Sequence, residues 1–292
     1  MLKFSIIDAP SILGLKPTGV ETLPEVLKNA GLIRGLQAEY AGSVDVPPYV
    51  SKRDKSTLLL NPHSIKEFSL RLAEKVTDVM GKEQFPIVLG GDCSILIGCM
   101  LALRRLGKYG LFFIDGHADF YQPEAEPNGE VASMELAIVS GRGPSILTDI
   151  DGLKPLVEDK DIVAFGYRDI EEQKEYCSQD IRKTSINTFD IEQVHALGIT
   201  TVTQQAIYKL QKNQLKGFWI HLDADVLNNS IMPAVDYPLP GGLQWDELSA
   251  LLKALMTSGQ AKGITITIFN PKLDPDGSIA SKFTRSIIAG LS

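Results

Sequence analysis

Short, continuously apolar runs alternate along the chain with stretches in which apolar residues return at helical spacing. Phe4 to Asp8 reads as a first strand, and Ala38 to Val46 as a weaker one. Pro86 to Leu89, Leu111 to Ile114, Ile162 to Phe165, Thr184 to Thr188 and Gly217 to Leu222 follow as strands. Gly263 to Phe269, alternating Ile264, Ile266 and Ile268, is the last. Helices are predicted over Glu21 to Leu32, with Pro24 in the first turn and Gly31 as the stop, and over Ser64 to Met80. In the second, Ile65, Phe68, Leu72, Val76 and Val79 fall on one face. Ser94 to Leu106, Ile170 to Cys177, Trp245 to Met256 and Ser278 to Ala289 complete the helices. About eight strands alternate with helices, and their unbroken apolar runs mark a parallel sheet covered on both faces. The expectation is an α/β fold of three α/β/α layers around a mostly parallel sheet, as one domain over residues 1–292. In such sheets ligands sit beyond the carboxyl ends of the strands.

Composition narrows the partners. Hydrophobic residues make up 44% of the chain and charged residues 22%, as in globular proteins. The formal net charge is -7 and no Lys/Arg cluster stands out, so nucleic acid is not expected as a partner. No stretch approaches the roughly 20 apolar residues of a membrane span, and the run at Met1 to Asp8 is too short for a signal peptide. Cys93, Cys99 and Cys177 are odd in number and fit no disulfide framework. A cytoplasmic, reducing location is expected, with a small molecule as substrate.

The polar residues at the strand ends carry the chemistry. Asp115-Gly116-His117-Ala118-Asp119 follows the strand ending at Ile114. In an extended segment the i, i+2, i+4 spacing puts Asp115, His117 and Asp119 on one side. His221-Leu222-Asp223-Ala224-Asp225 repeats the arrangement at the end of another apolar strand. Gathered carboxylates repel unless cations join them. Four aspartates neutralise two divalent ions, and a hydroxide between metals about 3.5–4 Å apart is a strong nucleophile at neutral pH. Taken singly, each Asp also suits a helix cap or a turn. Gly90-Gly91-Asp92-Cys93-Ser94 is a third strand-end segment. Its glycines allow a tight turn, Asp92 or Ser94 can cap the next helix, and Cys93 is either a thiolate ligand or a small apolar filler. His63 and His195 read as surface residues, and Tyr121 to Gly129 as a flexible loop beside the metal motif.

In this order the segments resemble the ureohydrolase family of arginase, agmatinase and formiminoglutamase. Gly241-Gly242-Leu243, Asn270-Pro271 and the segment from Gly19 to Leu32 add supporting matches, so the resemblance spans nearly the whole chain. It implies an arginase-like fold, two manganese ions, a small amidino, guanidino or ureido substrate, and a homo-oligomer, trimer or hexamer. It implies that Asp115 and Asp223 bridge the ions, that Asp119 holds one, and that His117 and Asp225 hold the other. Cys93 stands at the sixth ligand position, where the family has histidine, and a thiolate favours zinc or iron.

Other departures bear on substrate and mechanism. Ile268 stands where the family has a glutamate that pairs with a guanidinium, His221 replaces a serine, and the loop Tyr121 to Met134 has no histidine. Arginine is therefore not expected as the natural substrate. Asp119 is expected to relay the proton to the leaving nitrogen. His221 reads equally as a proton shuttle with a pKa near neutrality and as a hydrogen-bond partner of a ligating Asp. Asp236 and Tyr237 are expected to line the substrate wall opposite Tyr121 to Gly129. The same residues also suit an amide hydrolase acting on an acylated amine. Cys93 and the loop without histidine are what a metal-poor, non-catalytic relative would show.

Overall fold

The computed structural model describes residues 2–292. Among the described residues eight strands form one sheet: β1 Phe4–Ala9, β2 Glu39–Ser43, β3 Phe85–Gly90, β4 Gly110–Ile114, β5 Ile162–Phe165, β6 Asn187–Phe189, β7 Phe218–Asp223 and β8 Ala261–Thr267. Every pairing is parallel, and the order across the sheet is β2-β1-β3-β8-β7-β4-β5-β6. Eleven α-helices among the described residues accompany it: α1 Leu23–Asn29, α2 Leu32–Leu36, α3 Pro62–Gly81, α4 Leu96–Leu106, α5 Glu135–Val139, α6 Ser145–Thr148, α7 Ile170–Glu175, α8 Ile191–Leu197, α9 Ile199–Gln211, α10 Trp245–Thr257 and α11 Ser278–Leu291.

Strand side chains alternate between two cores. Ile87, Phe112, Ile220 and Ile264 pack beneath α1, α9, α10 and α11. Val88, Phe113 and Trp219 pack on the other face beneath α3, α4 and α5. Strands β3, β4 and β5 are buried on both faces, which is why they are apolar along their whole length. Each large apolar side chain buried this way contributes about 1.5–3 kcal/mol relative to exposure. The polar interruptions of neighbouring strands therefore need a cause. His221, Thr265 and Thr267 lie fully buried within β7 and β8.

Several boundaries differ from the sequence reading. Pro62 opens α3, two residues before the predicted start, because a proline at the first helical position loses no hydrogen bond. The helix predicted from Glu21 to Leu32 is split: Gly31 takes a φ of 103° and starts α2 instead of ending the fold's first helix. The strand predicted at Thr184 to Thr188 lies at Asn187–Phe189, after a turn at Ile181–Lys183. Helices α8 and α9 fill the stretch between β6 and β7 that the periodicity left unassigned. His63 and His195 are both exposed, as expected. Among the described residues, no helix is long and apolar enough to cross a membrane.

Candidate metal centre

Strands β3, β8, β7 and β4 are consecutive neighbours, so the segments leaving their carboxyl ends meet at one edge of the sheet. After β3 the chain turns tightly at Gly91, where a Cβ would lie 1.8 Å from the Ser11 carbonyl oxygen. Asp92 then accepts hydrogen bonds from Ser94 N (2.9 Å), Gly14 N (3.2 Å) and Ser11 Oγ (3.1 Å), capping the turn that carries Cys93. Of the two caps the sequence allowed, Asp92 is the one used.

The two aspartate motifs are held by the same device. Asp115 Oδ1 accepts from His117 N at 2.7 Å, and Asp223 Oδ1 accepts from Asp225 N at 2.7 Å. Gly116 N donates to Asp225 Oδ1 at 2.9 Å and so ties the two motifs together. The extended geometry expected over Asp115 to Asp119 is not what forms. The strand ends at Ile114, and Asp119 takes a φ of 44°. His117 and Asp119 each come close to Asp115 but do not share a donor set with one another.

Three overlapping sets of donors result, each offering one ligand atom per residue, with all atoms of a set within 4.8 Å of one another. The sets are Asp115, His117 and Asp225; Cys93, Asp115, His221 and Asp223; and Cys93, Asp115, Asp119 and Glu135. All six residues expected to hold metal fall in these sets. Glu135 was missed. It opens α5 with no solvent exposure, and its sequence signal was a lone acid inside the apolar run Val131 to Val139.

The electrostatics call for cations. Burial pushes the carboxyls of Asp115, Asp119, Glu135 and Asp223 well above the usual range, and neighbouring carboxylates push each further. Burial and the same carboxylates raise the Cys93 thiol. Burial would also raise Asp225, but the charge and hydrogen bond of His117 outweigh it and hold Asp225 at about 2. Among the described residues, Asp115 Oδ2, both Glu135 oxygens and His221 Nε2 are buried without a hydrogen-bond partner. Buried polar atoms are normally paired. Thiol, imidazole and carboxylates converging with unused lone pairs fit a divalent-metal centre.

The centre has an outer and an inner part. A pocket of about 390 Å³ reaches His117, Asp119, Asp223 and Asp225, while Cys93, Asp115, Glu135 and His221 lie beneath its floor. Ile268 forms part of the wall with a φ of 68°, a strained conformation for a β-branched residue. Asp236 and Tyr237 line the same pocket, as expected. Asp236 already accepts from Thr18 Oγ1 (2.5 Å) and Asn270 Nδ2 (2.8 Å). Tyr237 OH donates to Glu130 Oε2 at 2.9 Å, and Lys16 pairs with Glu130 at 2.7 Å. The segment expected as a flexible loop is tied down: Glu126 accepts from Asn128 N and Glu130 N, and Arg53 donates to Pro123 O and Pro127 O.

His221 does not suit the shuttle role. It does not reach the pocket, and burial pulls it down to about 3, away from the neutrality a shuttle needs. Two scaffold residues escaped the sequence reading. Asp169 accepts from Ala118 N at 3.0 Å. Arg168 donates from Nη2 to Asp225 O (2.8 Å), Leu227 O (3.2 Å) and Leu239 O (3.0 Å), and from Nε to Pro240 O (2.9 Å).

The chain is similar over its length to proteins of known family. The Arginase family model matches residues 3–291. An arginase of Bacillus caldovelox is 30% identical over 289 residues, covering 96% of this chain and 95% of that protein. The solved native structure of a B. caldovelox arginase superposes with a TM-score of 0.90 at 29% identity, covering 100% of this chain and 98% of that one. The proclavaminate amidino hydrolase of Streptomyces clavuligerus, at 17% identity and a TM-score of 0.70, shares the fold, covering 100% of this chain and 92% of that one.

Proposed function

Because the chain belongs to the arginase family, and is with it a metal-dependent hydrolase of non-peptide C–N bonds, we propose that it cleaves a small amidino, guanidino or ureido compound other than arginine at a dinuclear, manganese-containing centre. One observation carries the reading: Asp115, just beneath a pocket floor, gathers with His117 and Asp225 of that floor around one position, and the same floor exposes Asp119 and Asp223. The proposed ligands are Cys93, Asp115, His117, Asp119, Asp223 and Asp225. Divalent ions bound there supply water activation and stabilisation of developing charge.

The chain's own groups do the rest. Asp115 lies where one carboxylate can serve both positions, since it belongs to every donor set, while Asp223 belongs to the inner set with Cys93 and His221 and also lines the pocket. Asp119 is the proton relay. It lines the pocket floor, where its carboxylate is placed to take up a proton and pass it to the leaving nitrogen. The pocket wall orients the substrate by contacts to Tyr237, Asp236 and Ile268.

The substrate assignment rests on Ile268. An apolar side chain beside Asp119 and Asp223 offers nothing to a guanidinium, which within that class favours a ureido substrate, neutral near the scissile bond. The relatives' name, arginase, favours arginine as the second reading. A panel of arginine, other guanidino compounds, ureido acids and acylated amines, given to manganese-loaded protein, separates them if urea, ammonia and free amine are measured individually. High turnover of L-arginine overturns the substrate assignment. Release of amine from acylated amines alone moves the reaction to amide hydrolysis.

A further inference from the structure

Beneath the pocket floor, Cys93, Asp115 and His221 have no solvent exposure and Asp223 is 2% exposed. Their donor atoms form one of the three converging sets. His221 is the member without a role in the reading above, and its surroundings fix which nitrogen is free. Its Nδ1 lies 3.2 Å from Thr265 Oγ1. The same hydroxyl accepts from Trp219 Nε1 at 2.9 Å and lies 3.3 Å from Ile220 O. Indole N–H only donates, and a backbone carbonyl only accepts. If Thr265 gives its single proton to Ile220 O, its oxygen accepts from both Trp219 and His221, and all four groups are satisfied. His221 then carries its proton on Nδ1 and aims the Nε2 lone pair the other way.

That lone pair has no donor to meet. Nε2 is unpartnered among the described residues, and the nearest charged group is Glu135 Oε1 at 4.0 Å, too far for a hydrogen bond. Phe113 stacks on the imidazole with ring centroids 4.8 Å apart and closes the space to water from that side. With Nδ1 engaged by Thr265, Nε2 is the nitrogen His221 has left to offer beside a thiol and two carboxylates, and its buried lone pair lacks an electrophile. We propose that His221 is a metal ligand, and that Cys93, Asp115, His221 and Asp223 together hold a buried zinc ion beneath a manganese ion at Asp115, His117 and Asp225.

One thiolate, one imidazole and two carboxylates make a donor set that suits zinc, and four protein ligands complete its tetrahedron. The outer set has a single imidazole and otherwise oxygen, faces the pocket and leaves positions open for manganese. The Thr265 hydroxyl acts as the outer partner that orients the ligating imidazole. The Cys93 sulfur, now 2.8 Å from Asp223 Oδ2 and 3.0 Å from Thr267 Oγ1, gives up its proton to solvent as the sulfur–zinc bond forms. The proposal rests on the metal-hydrolase reading, adds an unequal pair of ions to it, and puts His221 in place of Asp119 at the inner ion, leaving Asp119 to the proton alone.

The test uses full-length protein produced with both metals supplied. Elemental analysis should find about one zinc and one manganese per chain. Zinc-edge X-ray absorption should show sulfur and imidazole in the same shell, and should still show both in His117→Ala, which removes the outer imidazole. His221→Asn should weaken zinc binding by at least the roughly 100-fold that loss of an outer partner alone can cost, while manganese stays. A zinc shell with sulfur but no imidazole places the ion in the Asp119 and Glu135 set and overturns the proposal. So does unchanged zinc affinity in His221→Asn. Wild-type and His117→Ala spectra decide the matter even if His221→Asn fails to fold. Protein that binds neither metal under any loading overturns the metal-hydrolase reading itself, a result distinct from a wrong inner ligand.

Discussion

His117 Nδ1 lies 2.9 Å from Asp225 Oδ2, joining the turn after β4 to the turn after β7. The pair sits at the pocket floor, where Gly116 N also binds Asp225. The imidazole thus has a fixed place relative to the carboxylates of both motifs. Asp225→Asn removes a charge from the outer donor set but keeps the shape. It should lower manganese affinity and kcat by at least about 100-fold, beyond the loss of an outer-shell partner. His117→Ala should match it. Metal titration with parallel kinetics checks this, and wild-type metal content in either variant removes the residue from the centre.

Removing metal should make stability depend on pH in a particular direction. Burial raises the carboxyls of Asp115, Asp119, Glu135 and Asp223. Above the ordinary carboxylate value of about 4, the folded chain then binds more protons than the unfolded chain, so stability falls as pH rises. His221, pulled down to about 3 by burial, works the other way below its ordinary value of about 6.5, as one group against four. Chelator-treated protein should therefore melt at lower temperature at pH 7 than at pH 5. Added manganese and zinc should raise Tm, and by more at pH 7. Thermal melts with and without chelator read both effects. A chelated Tm that rises from pH 5 to pH 7 contradicts the assignment of uncompensated buried acids.

Arg168 should matter for the shape of the site without touching substrate. Its guanidinium donates to six backbone carbonyls, those of Gly166, Asp225, Val226, Leu227, Leu239 and Pro240. Arg168→Ala leaves these acceptors unpaired in a largely buried place and should cost about 2–4 kcal/mol. Arg168→Lys should not restore it, because a single ammonium cannot reproduce the planar fork. Denaturant unfolding measures the cost. Equal stability of the Lys variant and wild type would show that the charge alone suffices.

Much of this was legible in the sequence because the sheet is covered on both faces. The apolar runs ending in Gly90-Gly91, Asp115 and Asp223 mark strands and site together. What escaped was set by tertiary contacts. Helix α9 holds Thr200, Thr201, Val202 and Thr203, β-branched residues that weaken a local helical signal, and it is buried through Val202, Ala206 and Leu210. The turn at Asp119 cannot be read from i, i+2 spacing, since it forms only when Asp169 and Asp225 bind the backbone of Ala118 and Gly116. Glu135 lies 20 residues beyond Asp115 in sequence, and only packing of α5 against the sheet brings the two together. Arg168 gave no signal either, because its partners are backbone carbonyls, which carry no residue identity.

Ile268 should decide charge selectivity. It follows β8, is 5% exposed, and shares the pocket wall with Asp119 and Asp223. Its φ of 68° costs a β-branched residue about 1–3 kcal/mol, so the side chain is held there against its backbone preference. Its N–H donates to Gly91 O at 3.0 Å, which fixes where any side chain at this position points. Ile268→Glu would place a carboxylate in the pocket without β-branching in the left-handed region. A charge-assisted pair with a cationic guanidino group contributes about 1.5–3 kcal/mol, or roughly a 10- to 100-fold gain in kcat/KM for such a substrate. A neutral ureido substrate should lose activity, because the new carboxylate would be buried unpaired against it. The ratio of kcat/KM for the two substrate types, measured in wild type and variant, is the readout. If the ratio does not move toward the cationic substrate, Ile268 is only a wall, and selectivity has to come from Asp236, Tyr237 or Glu130 across the pocket.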